Sequence, residues 1–172
     1  MALALGLILA AVMIQSLQRA SEGGERWIWQ LRERQSARRT LALLRGELAM
    51  ARHWDTGPDA GHGAECPLGG RTPVLRVEAL GRPITYSIGS APSKIWRGDV
   101  LMRCGPAYGL DGQLSDGQAL NRVVIDGMEA DKTGLRVIAQ TPGVMRLTLK
   151  RSVQFRGGMS LIRQDKILVA RP

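Results

Sequence analysis

The sequence predicts an α+β fold in which a long N-terminal helix, apolar in its first half and amphipathic in its second, packs on an antiparallel β-sheet. Three observations predict this class. Residues 1–14 carry no charge, residues 37–51 place apolar side chains at helical spacing, and from Pro73 onward apolar and polar residues alternate with a period of two. A helical region followed by a run of strands is the order typical of α+β proteins.

The N-terminal segment, residues 1–22, is predicted to be a membrane anchor or a helix of a bundle. It begins with MALALGLILAAVMI, fourteen residues that are apolar on every side of a helix rather than along one stripe. A cleaved signal peptide would have a basic stretch before the apolar run and a small-x-small site after it, and neither is present. A buried helix of a soluble domain is the third alternative. The side chains expected to pack against lipid or other helices are those of Leu3, Leu5, Leu7, Ile8, Leu9, Val12 and Ile14.

Residues 23–56 are predicted to form the amphipathic helix, after a break at Gly23-Gly24. The apolar stripe, at spacings of four, three, four and three, consists of Ala37, Leu41, Leu44, Leu48 and Ala51. The charged residues assigned to the other faces are Arg38, Arg39, Arg45, Glu47 and Arg52. The helix is expected to stop near Asp55-Thr56-Gly57-Pro58, where residues that favour turns cluster.

Residues 57–172 are predicted to form an antiparallel β-rich globular domain, together with the amphipathic helix. Five to seven strands are expected, and the candidates are residues 74–80, 84–88, 99–104, 121–126, 135–140, 144–155 and 161–170. The first two flank Gly81-Arg82-Pro83, a predicted hairpin turn. The alternation is clearest in residues 144–155, where only Arg151 breaks it.

The net charge of +9 could attract nucleic acid or an acidic surface, or it could reflect solvated arginines without a partner. The basic residues on the helical region are Arg32, Arg34, Arg38, Arg39, Arg45 and Arg52, with Trp27, Trp29 and Trp54 beside them. Trp27 and Trp29 are two residues apart and cannot share one helical face, so we interpret them first as residues at a membrane boundary. DNA is therefore a partner suggested by charge alone.

The two cysteines, Cys66 and Cys104, are candidates for one disulfide, because the N-terminus has an export-like character. The alternative is a pair of unpaired buried thiols in a reducing compartment.

Nothing in the sequence predicts catalysis, a cofactor or a metal. No G-x-S-x-G, P-loop, dinucleotide-binding or H-E-x-x-H motif occurs. The two histidines, His53 and His62, lie near Asp55, Glu65 and Cys66, but their spacing fits no zinc pattern. We therefore predict a protein that is not an enzyme.

The stretch ALALGLILAAVMIQSLQRA, residues 2–20, resembles the N-terminal helix of type IV pilins and pseudopilins. The order of helix and strands extends the resemblance, and Ile84-Thr85-Tyr86 and residues 99–104 are similar to the strand pairs of the minor pilin branch. In that family a basic leader ending in Gly precedes Phe-Thr-Leu-x-Glu, which this sequence lacks. The resemblance therefore implies that residue 1 lies several positions inside the mature helix.

The resemblance implies a structural, non-enzymatic minor pilin or pseudopilin subunit of a bacterial type IV pilus or type II secretion-like filament. Its partners would be other pilin or pseudopilin subunits, contacted through the N-terminal helix, and inner-membrane lipid before assembly. It would lie in the inner membrane with a single pass and a periplasmic or extracellular globular domain. Two alternatives stay open: an envelope-anchored β-rich binding domain that does not polymerise, and a basic nucleic-acid-binding module.

Overall fold

The computed structural model describes residues 2–129, 134–141, 144–154 and 160–170. Within this part, the chain forms one α-helix, one 3-10 helix at Gly57–Gly61 and eight strands. Their bounds are α1 Ala2–Ala49, β1 Ala51–Thr56, β2 Thr72–Ala79, β3 Arg82–Ser90, β4 Asp99–Gly105, β5 Leu120–Met128, β6 Leu135–Thr141, β7 Val144–Gln154 and β8 Ser160–Ala170. The chain divides into two compact units, Met1–Ser36 and Ala37–Pro172.

The unit Met1–Ser36 is helical from Ala2 onward. The break predicted at Gly23-Gly24 is absent, because α1 continues through both glycines. A glycine inside a helix costs about 1 kcal/mol relative to alanine. Two such residues weaken a long helix without ending it.

The helix ends at Ala49, earlier than the stop predicted near Asp55. The amide of Met50 makes the last hydrogen bond of the helical series, to the carbonyl of Gly46, and the next six residues form β1. In β1, Trp54 lies opposite Val77 of β2. Pairing with the open edge of β2 satisfies the backbone groups of this segment, so tertiary structure overrides its helical pattern.

The strands form one antiparallel sheet in the order β1-β2-β3-β4-β5-β7-β6, and β8 pairs with β7 outside this order. The β2–β3 hairpin turns at Leu80 and Gly81, whose φ angles are 51° and 75°. Positive φ at both central residues is what a tight hairpin requires. The turn therefore lies one residue before the predicted one. The sheet continues from β5 to β7 through a single register pair, Met128 opposite Arg151.

The core of the unit Ala37–Pro172 is built mainly by strands. From the helix it takes Ala37, Leu41, Leu44 and Leu48. From the strands it takes Ala51, Leu75, Val77, Ala79, Ile84, Tyr86, Ile88, Leu101, Ile125, Met128, Leu135, Met145, Leu147, Leu149 and Val169. The alternation predicted for residues 144–155 is present in β7, where position 151 also faces inward and Arg151 is 1% exposed.

The predicted α+β class, with a long helix packed on a sheet, is wrong. The described chain is predominantly antiparallel β, with eight strands in one sheet, and the helix residues found in its core are Ala37, Leu41, Leu44 and Leu48. The pilin-like layout implied by the resemblance is corrected with it. The physical reason is that the inward faces of the strands bury each other, and six residues assigned to the helix form β1 instead.

The prediction of a single-pass anchor in the inner membrane is also wrong. Among the helical residues that the structure describes, no stretch is both long enough and apolar enough to cross a bilayer. The uncharged apolar run reaches fourteen residues before Gln15, Ser16 and Gln18 interrupt it, whereas a span needs about 20. The inner-membrane location that was predicted together with the anchor is therefore wrong as well.

Replacing Leu44 by alanine should lower the free energy of unfolding by about 2–5 kcal/mol, because this core side chain is 0% exposed and its loss leaves a cavity. Denaturant unfolding of the full chain measures the effect. The matched control is Leu110→Ala, at a fully exposed leucine, which should change stability by no more than about 0.5 kcal/mol. Equal effects of the two substitutions would contradict the assignment of the helix stripe to the core.

Candidate functional site

A buried polar cluster lies between the last turns of α1 and the sheet, within the unit Ala37–Pro172. It consists of Glu47, Tyr86, Arg103 and Tyr108, and we call it the Glu47 cluster. The side chain of Glu47 is 0% exposed. Its Oε1 accepts hydrogen bonds from Arg103 Nε at 2.7 Å and from the Tyr108 hydroxyl at 2.9 Å. Its Oε2 accepts one from the Tyr86 hydroxyl at 2.5 Å.

Each element brings its side chain to the cluster for a local reason. Glu47 lies three residues after Leu44 and one before Leu48, so it borders the apolar stripe of the helix. Tyr86 of β3 is directly opposite Arg103 of β4 in the antiparallel register. Opposite residues of an antiparallel pair point to the same face of the sheet. Both side chains therefore face the helix.

Tyr108 reaches the cluster from the segment that follows β4. This segment folds back on itself: Tyr108 forms an isolated bridge with Leu114, and the amide of Ser115 donates to the Ala107 carbonyl at 2.8 Å. The Arg103 guanidinium carbon lies 5.4 Å from the centroid of the Tyr108 ring, within the range of a cation–π contact. Tyr108 is thereby held on both its ring face and its hydroxyl.

Arg103 is a nearly buried cation, with a side chain that is 6% exposed. Besides Glu47, it donates from Nη1 to the Pro106 carbonyl at 2.8 Å. Its Nη2 is buried and has no hydrogen-bond partner among the described residues. Taking both charges of a buried pair out of water costs several kcal/mol for each, and good geometry with further hydrogen bonds offsets that cost. The three donors to Glu47 provide this geometry.

Burial, together with the neighbouring Glu47 carboxylate, raises the pKa of Tyr86 well above its ordinary value. The same two causes, in the same order, raise the pKa of Tyr108. Burial by itself would lower the pKa of Arg103, but the charge of Glu47, its hydrogen bond and the two neighbouring tyrosines together outweigh burial, and the pKa is raised. Both phenols are therefore neutral donors and Arg103 is a fixed cation at neutral pH. These three groups hold an arrangement and do not exchange protons under ordinary conditions.

A groove of about 280 Å³ opens beside the Glu47 cluster. We call it the arginine groove, and its lining residues are Arg39, Thr40, Leu43, Arg103, Ala107, Tyr108, Arg122, Val123 and Val124. One wall comes from the helix, one from β5, and the rest from β4 and the segment after it. Arg103 and Tyr108 belong to both the cluster and the groove, so the cluster sets the shape of this wall.

Cys66 and Cys104, the predicted disulfide candidates, are joined in the structure, with Cα atoms 5.8 Å apart. Cys66 lies in the segment before β2, and Cys104 follows Arg103 on β4. The bond therefore attaches that segment to the sheet next to the Glu47 cluster. The Asn121 side-chain amide donates to the Pro67 carbonyl at 2.9 Å and fastens the same segment to β5. The disulfide and this hydrogen bond therefore both attach the segment to the sheet.

The side chains of Leu3, Leu5, Leu7, Ile8, Leu9 and Val12, predicted to pack against lipid or other helices, lie outside the part of the chain whose side chains the structure describes. Ile14, the seventh, is 56% exposed. The histidines stay apart: His53 Nε2 lies 3.0 Å from Asp55 Oδ1, and His62 is exposed near Asp59. Over the described residues, no three histidine, cysteine, aspartate or glutamate side chains lie close enough together to hold a metal ion.

The sequence reasoning missed the Glu47 cluster, since it assigned Glu47 to an outer face. Glu47 follows Thr40 by seven residues, so the two share one side of the helix. Both are buried, which the structure shows and the sequence does not. Tyr86 and Arg103 lie inside the two strand segments that carried the family resemblance. No pattern in the sequence linked either of them to Glu47.

Comparison of the chain with protein-family models, with curated proteins and with solved structures gives no match.

We expect both tyrosines to resist ionisation in the folded protein. Because the folded-state pKa of each is raised above the unfolded value of about 10, the stability they contribute is fully present below about pH 10 and is lost as pH rises through the folded-state pKa. The chain has only two tyrosines, so near-ultraviolet phenolate absorbance during an alkaline titration reports on these two groups alone.

Native protein should show the absorbance rise only above the pH at which denatured protein shows it, and unfolding should accompany the rise. The variant Tyr108→Phe isolates the contribution of Tyr86. Half-ionisation of native protein at about pH 10 would contradict the burial and hydrogen bonding of the cluster.

Proposed function

We propose that the protein is a structural, non-enzymatic subunit that assembles into a filament through its N-terminal helix, in the manner of subunits of pili and type II secretion-like filaments. The partners are other copies of this chain or related subunits. The sequence of residues 2–20 suggests the kind of filament. Exposed apolar side chains of the helix support assembly through it.

The observation that carries the proposal is a set of large apolar side chains exposed on the helix of the unit Met1–Ser36. Ile14, Trp27, Ile28 and Leu31 are 56%, 66%, 52% and 57% exposed. Single exposed apolar residues are ordinary, but several on adjacent turns of a helix, as at Trp27, Ile28 and Leu31, mark an interaction site.

These four side chains share one face of the helix. At 3.6 residues per turn, Trp27, Ile28 and Leu31 fall within an arc of about 100°. Ile14 precedes Ile28 by fourteen residues and lies within about 40° of it around the axis. Fourteen residues are also two heptads, the spacing at which helices pack along a common seam. We call Ile14, Trp27, Ile28 and Leu31 the helix face.

Burial of the helix face against a second helix supplies the free energy of association. Full burial of a leucine- or isoleucine-sized side chain is worth about 1.5–3 kcal/mol relative to exposure. Three or four such side chains on each subunit offset much of the cost of association. The raised pKa values of Tyr86 and Arg103 agree with a structural role, because they keep these two groups from proton exchange at neutral pH.

The full-length chain should associate in a concentration-dependent way, and sedimentation velocity measures this. The double variant Ile28→Gln, Leu31→Gln should weaken association at least tenfold, which corresponds to about 1.4 kcal/mol, because it replaces half of the helix face by polar groups. The matched control is Ile95→Gln, Leu110→Gln, since both residues are strongly exposed in the unit Ala37–Pro172 and lie outside the helix.

Circular dichroism confirms that each variant keeps its helix. A wild-type chain that stays monomeric at every concentration would contradict the proposed assembly. So would a control variant that loses association as much as the helix variant does.

A further inference from the structure

The arginine groove combines cationic ends with an apolar wall. Arg39 comes from the helix, Arg103 from β4 and Arg122 from β5, while Leu43, Val123 and other apolar side chains also line the groove. No aspartate or glutamate is among the lining residues. The chemistry of this surface differs from that of the helix face.

The charges of the three arginines are compensated unequally. Arg103 is paired with Glu47, whereas neither Arg39 nor Arg122 lies within ion-pairing distance of a carboxylate in the described part of the chain. Both of these side chains are exposed at the rim of the groove. The groove therefore carries uncompensated positive charge next to an already neutralised buried pair.

A second observation points to an acceptor that the chain itself does not provide. The side chain of Arg103 is 6% exposed. Its Nη2 lacks a hydrogen-bond partner among the described residues. A buried donor without an acceptor costs about 1–3 kcal/mol. Most buried donors in native structures are satisfied, so each exception calls for an explanation.

We propose that the arginine groove binds a carboxylate joined to a short apolar body. Arginine forks match the planar geometry of a carboxylate, and Arg39 and Arg122 supply the charge at the rim. The apolar body lies along Leu43 and Val123. A volume of about 280 Å³ is at the lower end of ligand pockets, which suits a short fatty acid or one terminal residue of a peptide.

Two sources supply this chemistry: a free small carboxylate, and the C-terminal residue of a partner chain. Isothermal titration of the full-length chain with hexanoate tests the first. Hexanol and inorganic phosphate serve as probes that lack the charge or the apolar body, respectively. A short peptide that ends in leucine, with a free or an amidated C-terminus, tests the second.

We expect saturable binding of hexanoate, no binding of hexanol, and weaker binding of phosphate. The double variant Arg39→Gln, Arg122→Gln should weaken hexanoate binding at least tenfold, while its unfolding free energy changes by no more than about 1 kcal/mol, since both residues are exposed. The control Arg136→Gln, at an exposed arginine of β6 outside the groove, should bind as the wild type does.

Tighter binding of the free peptide than of hexanoate, lost on amidation, identifies the partner chain as the source and supports the proposal. Tighter binding of hexanoate supports it with the free carboxylate as the source. Absence of saturable binding by both carboxylates would overturn the proposal, as would equal binding by hexanol. Binding of hexanoate that is indifferent to loss of Arg39 and Arg122 would overturn it as well.

Discussion

Glu47 is a carboxylate with no exposure to solvent, and the packing of residues 37–49 on the sheet depends on how that charge is satisfied. Its oxygens accept one hydrogen bond from β3, one from β4 and one from the segment after β4. An unpaired buried carboxylate would cost far more free energy than a domain can spare. The helix can therefore occupy its place only when all three elements are assembled, which makes the contact a condition of the fold.

The Glu47 cluster also shapes the neighbouring arginine groove. Arg103 and Tyr108, fixed by Glu47, form one wall of the arginine groove. The next residue after Arg103 on β4 is Cys104, which forms the disulfide with Cys66. The cluster thus fixes the wall of the groove that Arg103 and Tyr108 form. In the proposed assembly, the helix face of Ile14, Trp27, Ile28 and Leu31 would act by a different principle, since the free energy of association would come from apolar area alone. One surface would recognise charge, and the other would drive association.

The strands were predictable because apolar and polar residues alternate along a strand that has one buried and one exposed face. Residues 144–155 alternate, and β7 covers Val144–Gln154. The end of the helix was not predictable, because residues 51–56 become a strand only through pairing with β2. Glu47 was not predictable either: a glutamate is almost always solvated unless it is paired, and its partners follow by 39, 56 and 61 residues. Local patterns carry no record of such distant contacts.

The substitution Glu47→Gln tests the central role of this carboxylate most directly, because it keeps the shape of the side chain and removes the charge that balances Arg103. Unfolding of the full-length chain in denaturant should show a loss of about 3–5 kcal/mol, the typical result of leaving one member of a buried pair uncompensated. The exposed Glu65→Gln is the matched control and should change stability by no more than about 0.5 kcal/mol. A Glu47→Gln protein as stable as this control would contradict the dependence of the fold on the Glu47 cluster.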